Sequence, residues 1–142
     1  MKSSIIYVGG FEMPDKNAAA HQVLNNARIF YSLGYDVAFC GLDHDLHWGD
    51  KPIEQVASIF ESYPRAYPKT VLQWIINMTS ISHVKSIIED KDDVKLVVAY
   101  NMHALPLLRL ISYCKRKRIK IVANATEWYE NKFSLKPLGA IK

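Results

Sequence analysis

Long apolar runs are missing from this chain of 142 residues. The apolar stretch near its amino end, Ile5 to Val8, is too short for the apolar core of a secretory signal. No segment approaches the ~20 apolar residues that a membrane-spanning helix requires. Cysteine is scarce. Cys40 and Cys114 stand apart, without the spacing of a zinc site or a disulfide framework, and read as reduced core thiols. A cytoplasmic location is the expectation, and the sequons at Asn77 and Asn124 then carry no glycan. The glycine fingerprints of common nucleotide sites are also absent. Where G-x-G-x-x-G would stand, the chain reads Gly9-Gly10-Phe11-Glu12-Met13-Pro14, and no phosphate loop ending in Gly-Lys-Ser/Thr occurs. Binding of NAD or ATP through those loops loses ground. There is no repeat and no low-complexity tract, and charge of neither sign dominates. The net charge of +4 favours anionic partners mildly.

What is present is ordinary globular material: 49% hydrophobic and 23% charged residues, enough for one domain spanning residues 1–142. Ile5–Val8 reads as a buried strand closed by Gly9-Gly10. Asn17 or Asp15 can cap the helix that follows, on which Ala20, Val23, Leu24, Ala27, Phe30 and Tyr31 recur at helical spacing. Gly34 is placed to end it, and Asp36–Cys40 reads as a second strand. Strand, turn, helix and strand in this order make a βαβ unit. Residues 42–55 read as loop, and Val56–Phe60 as an edge-like third strand. Lys69–Asn77 reads as an apolar helix. Ser80 or Ser82 would cap the next, with Ile81, Val84, Ile87 and Ile88 on one face. Leu96–Tyr100 is a clear buried strand, Leu105–Lys117 a helix with Pro106 in its first turn, and Ile119–Ala123 a fifth strand.

Alternating strands and helices imply an α/β fold: a doubly wound, Rossmann-like, mostly parallel sheet with helices on both faces. The strand order 3-2-1-4-5 puts the topological switch between the strands that start at Ile5 and Leu96, and ligands bind beyond the carboxyl ends of strands there. That rule selects Gly9, Gly10 and Asn17 after the first strand, with His21 on the helix beyond. It selects Asn101 and His103 after the fourth, and Glu127 and Trp128 after the fifth. Each also has a plainer reading. The glycines can serve a tight turn, His21 a helix surface, Asn101 or His103 a helix cap, and Glu127 and Trp128 a capping box or an aromatic corner. His44, Asp45 and His47 in one short loop read as surface rather than as a metal site. The basic run Lys115–Arg118 complements a helix dipole and offers a surface for anionic lipid. No aromatic residues interleave with it as single-stranded nucleic acid would want.

Two stretches resemble a known family. IIYVGGFEMPDKNAAAHQVLNNARIFYSLGYDVAFCG (5–41) is similar to the first βαβ unit of retaining glycosyltransferases of family four, which have the two-lobed GT-B fold. The shared features are a Gly-Gly loop after strand one, a helix start of small residues carrying a histidine, and the phrase LGYDV leading into strand two. LVVAYNMHALPLLRLISYCKRKRIKIVANATEWYE (96–130) resembles the later part of the same lobe, while residues 42–90 match in type only. The resemblance implies the N-terminal, acceptor-side lobe of an enzyme that moves a sugar from a nucleotide sugar to a glycan or lipid-linked acceptor with retained configuration. The nucleotide-sugar-binding lobe, with its paired-glutamate motif, is then expected outside this chain. The resemblance implies that Gly9 and Gly10 face the donor phosphates. It makes Asn17, His21, Asn101, His103, Glu127 and Trp128 candidates for holding the acceptor. The family's active-site histidine position falls on Asn101, with His103 two residues on, so no catalytic residue is assigned. No metal or resident cofactor and no nucleic acid are expected. Peripheral contact with the inner face of a membrane, through Lys69–Asp90 with Val71, Leu72, Trp74, Ile75, Ile76 and Met78, is a further expectation. Two readings of other kinds stay open: a different nucleotide-binding α/β enzyme, and a non-catalytic binding module.

Overall fold

The computed structural model describes residues 2–125. In chain order the elements are β1 (Ser4–Gly9), α1 (Ala18–Ser32), β2 (Asp36–Cys40), β3 (Leu42–Asp43), β4 (Glu54–Val56), β5 (Phe60–Ser62), β6 (Arg65–Ala66), α2 (Val71–Asn77), α3 (Ser82–Asp90), β7 (Val94–Tyr100), α4 (Ala104–Arg116) and β8 (Lys120–Asn124). The main sheet has six strands in the order β4-β5-β2-β1-β7-β8, and β3 and β6 form a separate two-stranded sheet. All ladders are parallel except β4 with β5.

The alternation of side chains along β1 splits the core in two. Ile5 and Tyr7 face α1, where Ala20, Val23 and Ala27 close over Phe11, Phe39 and Phe60. Ile6 and Val8 face the other way, against Val84, Ile87 and Ile88 of α3 and Leu110, Tyr113 and Cys114 of α4. Helices therefore cover both faces, as a Rossmann-like α/β arrangement requires, and the order 3-2-1-4-5 holds with one strand added at the edge. Helix α1 begins where Asn17 Oδ1 accepts from the Ala20 amide at 2.9 Å. It ends in a Schellman motif: the Tyr35 amide reaches Phe30 O at 3.1 Å, the Gly34 amide reaches Tyr31 O at 3.0 Å, and Gly34 takes φ +97°. No helix among the described residues is long and apolar enough to cross a membrane.

Residues 42–80 differ from the sequence reading in three places. Val56–Phe60 is not one strand. Val56 ends β4 and Phe60 begins β5, the chain bends between them with Ala57 and Ser58 at φ 52° and 61°, and the parallel neighbour of β2 is β5. Leu42–Asp43, read as loop, pairs with Arg65–Ala66. Neither Ser80 nor Ser82 takes the cap position of α3, which falls on Ile81. Ser80 Oγ instead accepts from the Ser82 amide at 3.2 Å.

Lys16 fastens the loop after β1 to the segment after β2, reaching Asp43 at 2.9 Å and Asp45 at 3.1 Å. Burial pushes the Asp43 carboxyl up, but the Asp45 amide and the Lys16 ammonium outweigh it and hold the group below its usual range. A carboxylate depressed in the folded state contributes stability above its unfolded pKa, and loses it as pH falls through the folded value. Asp43→Asn should therefore destabilise the fold at pH 7 by about 1 kcal/mol, since Lys16 is partly solvated, and lower the melting temperature accordingly. The gap from wild type should begin to narrow below about pH 4 and close as pH falls through the depressed folded value. A variant curve parallel to wild type across melting scans from pH 2 to 8 would rule this pair out as an acid-sensitive element.

Candidate functional site

The carboxyl ends of β1, β2 and β7 open into a cleft enclosing about 610 Å³, solvent at its mouth included. The part of it that water-sized groups can occupy is about 80 Å³. Gly9, Gly10, Asn101 and His103 line it, so four of the residues singled out in sequence meet at the switch point. Arg65, Asn77, Ser80 and His83 form the facing wall.

The two glycines do different work. Gly9 has φ +154°, and a Cβ built there would lie 1.8 Å from Tyr100 O, so the residue is glycine because β7 passes against it. A Cβ on Gly10 would meet nothing within 4 Å, and the Gly10 amide is loosely tied to Tyr100 O at 3.3 Å. Gly10, not Gly9, leaves room for a ligand. On the β7 side, Asn101 sits at φ 48° with its amide on Asn124 O at 2.9 Å, which turns the chain from the strand toward α4. His103 holds the cap position of α4, yet its side chain makes no capping bond. The exposed imidazole lines the cleft, so capping does not account for it.

Two candidates lie away from the cleft lining. Asn17 spends its Oδ1 on the amides of Ala20 and Glu12, at 2.9 and 3.3 Å, and is a helix cap. His21 is exposed on α1, outside the residues that line the cleft. Glu127 and Trp128 lie outside the described residues. The His44 ring stacks on Tyr67 with centroids 4.0 Å apart, and its Nδ1 pairs with Glu12. Among the described residues no group of side chains is arranged to hold a metal.

The wall opposite the glycines was not apparent in sequence. Arg65 is set by the β3–β6 ladder and by its amide on Gly41 O at 3.0 Å. Its Nη2 donates to Asn77 Oδ1 at 3.1 Å. His83, in the first turn of α3, shares its Nε2 hydrogen with Tyr63 O at 2.8 Å when that nitrogen is protonated. Burial pulls the His83 pKa below its ordinary value, and Arg65 and Lys51 add to the effect against the Tyr63 carbonyl, so the ring is neutral at pH 7. Cys40 also borders the cleft, but burial pushes its thiol up to about 12 despite Arg65 and Lys91, and it is no nucleophile at neutral pH. The one available signal for this wall was an arginine in the otherwise apolar and aromatic stretch Tyr63-Pro64-Arg65-Ala66-Tyr67.

A second depression lies at the amino ends of the strands. It is bordered by Asp36, Glu61, Asp90, Asp92 and Asp93 together with Lys2 and Lys91, so carboxylates outnumber cations there. Comparison with protein families, with curated proteins and with solved structures found no match for the chain.

Proposed function

We propose that the chain is the acceptor-side lobe of a retaining glycosyltransferase of the GT-B kind, moving a sugar from a nucleotide sugar to a glycan or lipid-linked acceptor. The observation that carries the reading is the cleft at the switch point, where Gly10 leaves open space beside Asn101 and His103. Open backbone next to polar side chains suits a phosphate-bearing sugar and its hydroxyls. In this reading the glycine loop meets the donor phosphates, the β7–α4 turn orients the acceptor, and a second lobe supplies the nucleotide-sugar site. His103 is placed to accept or donate a hydrogen bond to an acceptor hydroxyl. The chemistry expected is displacement of the nucleoside diphosphate by that hydroxyl. The new glycosidic bond keeps the donor's configuration, and the hydroxyl proton leaves to solvent or to the departing diphosphate. The test is a panel of nucleotide sugars offered, with a membrane extract as acceptor source, to protein carrying both lobes. Transfer with retained anomeric configuration is expected, together with none from residues 1–142 alone. Transfer by the isolated chain, or inverted product, would overturn the assignment.

Helix α2 supports a peripheral membrane role for the same enzyme. None of its residues is buried, and Val71, Leu72 and Ile75 are 79%, 67% and 54% exposed. Helix α4 adds exposed Leu105 and Leu108 and ends in Lys115 and Arg116, and Arg109 Nη1 ties it to Thr79 O at 2.9 Å. Trp74 does not join this surface as expected. It is half-buried, edge-on to Tyr67 at 5.5 Å. An apolar helix too short to span can lie in the headgroup layer, with basic residues adding attraction to anionic lipid. Co-sedimentation with anionic vesicles at low salt is expected, and Leu72→Glu with Ile75→Glu should lower the bound fraction by about tenfold. Absence of binding to anionic vesicles at low salt would remove this role.

A further inference from the structure

Among the described residues no carboxylate answers the charge of Arg65. The ion pairs among the described residues engage Lys16, His44, Lys91 and Lys95, and Arg65 is in none of them. Its side-chain hydrogen bond goes to a neutral amide, Asn77 Oδ1 at 3.1 Å. Burial pulls its pKa below the ordinary value, with Cys40 the opposing influence. A guanidinium keeps its proton even so, and has five N–H donors in a planar fork that matches an oxyanion. A largely desolvated cation without a counter-charge is costly, and the cost is removed when a ligand supplies the charge.

The surroundings agree. Helix α3 starts on the same wall with Ile81 at its cap position and no side-chain cap, and α4 starts across the cleft with His103 and no side-chain cap. Neither first turn contains an acid, so the positive ends of both helix dipoles are left without a compensating side chain. Among the described residues that line the cleft there is no aspartate or glutamate. Arg65 is half-buried, whereas Gly10 in the same lining is exposed.

We propose that Arg65 is the centre of an anion subsite in the lining of the cleft, and that the molecule this domain holds bears a phosphate group there. This rests on the reading of the domain as the acceptor side, and it narrows the acceptor to a phosphorylated one. The phosphate fits bidentate against the guanidinium, with the Asn77 amide and the α3 terminus beside it.

The test uses inorganic phosphate and glycerol phosphate as soluble probes, and vesicles of phosphatidic acid against phosphatidylcholine as the lipid-borne source. Binding is followed by the nitrogen-15 resonance of the Arg65 Nε–H group and by calorimetry. The expected result is a shift of that resonance on adding a phosphate source. Affinity should fall by about tenfold or more in Arg65→Gln and be unchanged in the exposed control Arg28→Gln. A shift with glycerol phosphate assigns a soluble acceptor, and a shift with phosphatidic acid vesicles alone assigns a lipid phosphate. If Arg65→Gln does not fold, Arg65→Lys keeps a point charge and should bind more weakly than wild type, and the wild-type resonance still reports contact. No shift from any phosphate source, or equal affinity in wild type and Arg65→Gln, overturns the subsite. Phosphate binding without sugar transfer by a protein carrying both lobes keeps the subsite and sinks the transferase reading. Transfer to a phosphorylated acceptor with KM unchanged in Arg65→Gln does the reverse.

Discussion

Gly9→Ala should cripple the fold. The added Cβ would lie 1.8 Å from the carbonyl oxygen of Tyr100 and 2.8 Å from its carbonyl carbon. Both are backbone atoms of β7, so no side chain can swing aside. Relief requires moving β1 from β7, the pair whose parallel register runs from Ser4 to Gly9 through the middle of the sheet. The backbone at φ +154° is itself strained for any residue with a Cβ. A loss of about 3 kcal/mol or more is expected, which for a domain of this size is a fall in melting temperature of about 10 °C. Gly34→Ala is the calibrating control. It too has positive φ, at +97°, but its Cβ would meet nothing within 4 Å, so only the left-handed penalty of about 1 kcal/mol applies. A Gly9→Ala protein that melts within about 2 °C of wild type would show that the strands are not packed as described.

Gly10→Val should do the opposite, sparing the fold and removing the function. Its Cβ enters open space, its backbone does not lie in the left-handed region, and the residue is exposed at the mouth of the cleft. The melting temperature should stay within about 2 °C of wild type. The two γ-methyl groups would occupy the volume that the proposed reading gives to a phosphate. Displacing a reacting group by about 1 Å can cost on the order of a hundredfold in rate, and a loss of that size in kcat/KM for sugar transfer is expected. Unchanged kinetics in a folded Gly10→Val protein would remove the glycine loop from the site.

The contrast between these neighbours shows where sequence reading works. A Gly-Gly pair after a buried strand identified the turn and its place at the switch point, because alternating strands and helices imply a doubly wound sheet whose ligands sit at the carboxyl ends of its strands. It did not tell which glycine faces the neighbouring strand and which faces solvent, since that depends on how β7 passes β1. The core was legible for the same reason: Ile5 and Tyr7 against Ile6 and Val8 alternate with period two, and α1 repeats with the helical period. Residues 42–80 were not. Strands of two or three residues are too short to show a period, and the hairpin bend uses Ala57 and Ser58 at positive φ instead of the Asn-Gly pair that announces such turns. The register error hid the wall of the cleft, because Arg65 stands on one of those short strands. His21 is not among the residues that line the cleft, since α1 begins after the loop that follows β1 and leaves His21 exposed.

The central claim, that a ligand enters at the carboxyl ends of β1 and β7, is tested most directly by amide hydrogen exchange. The two-lobed protein of the proposed reading would be followed with and without saturating nucleotide sugar and a phosphorylated acceptor. The account predicts slowed exchange within this domain at residues 8–12, 40–42 and 101–107, with the acidic depression near residues 90–93 unchanged. Protection centred on residues 90–93, or none in this domain with any nucleotide sugar of the panel, would contradict it.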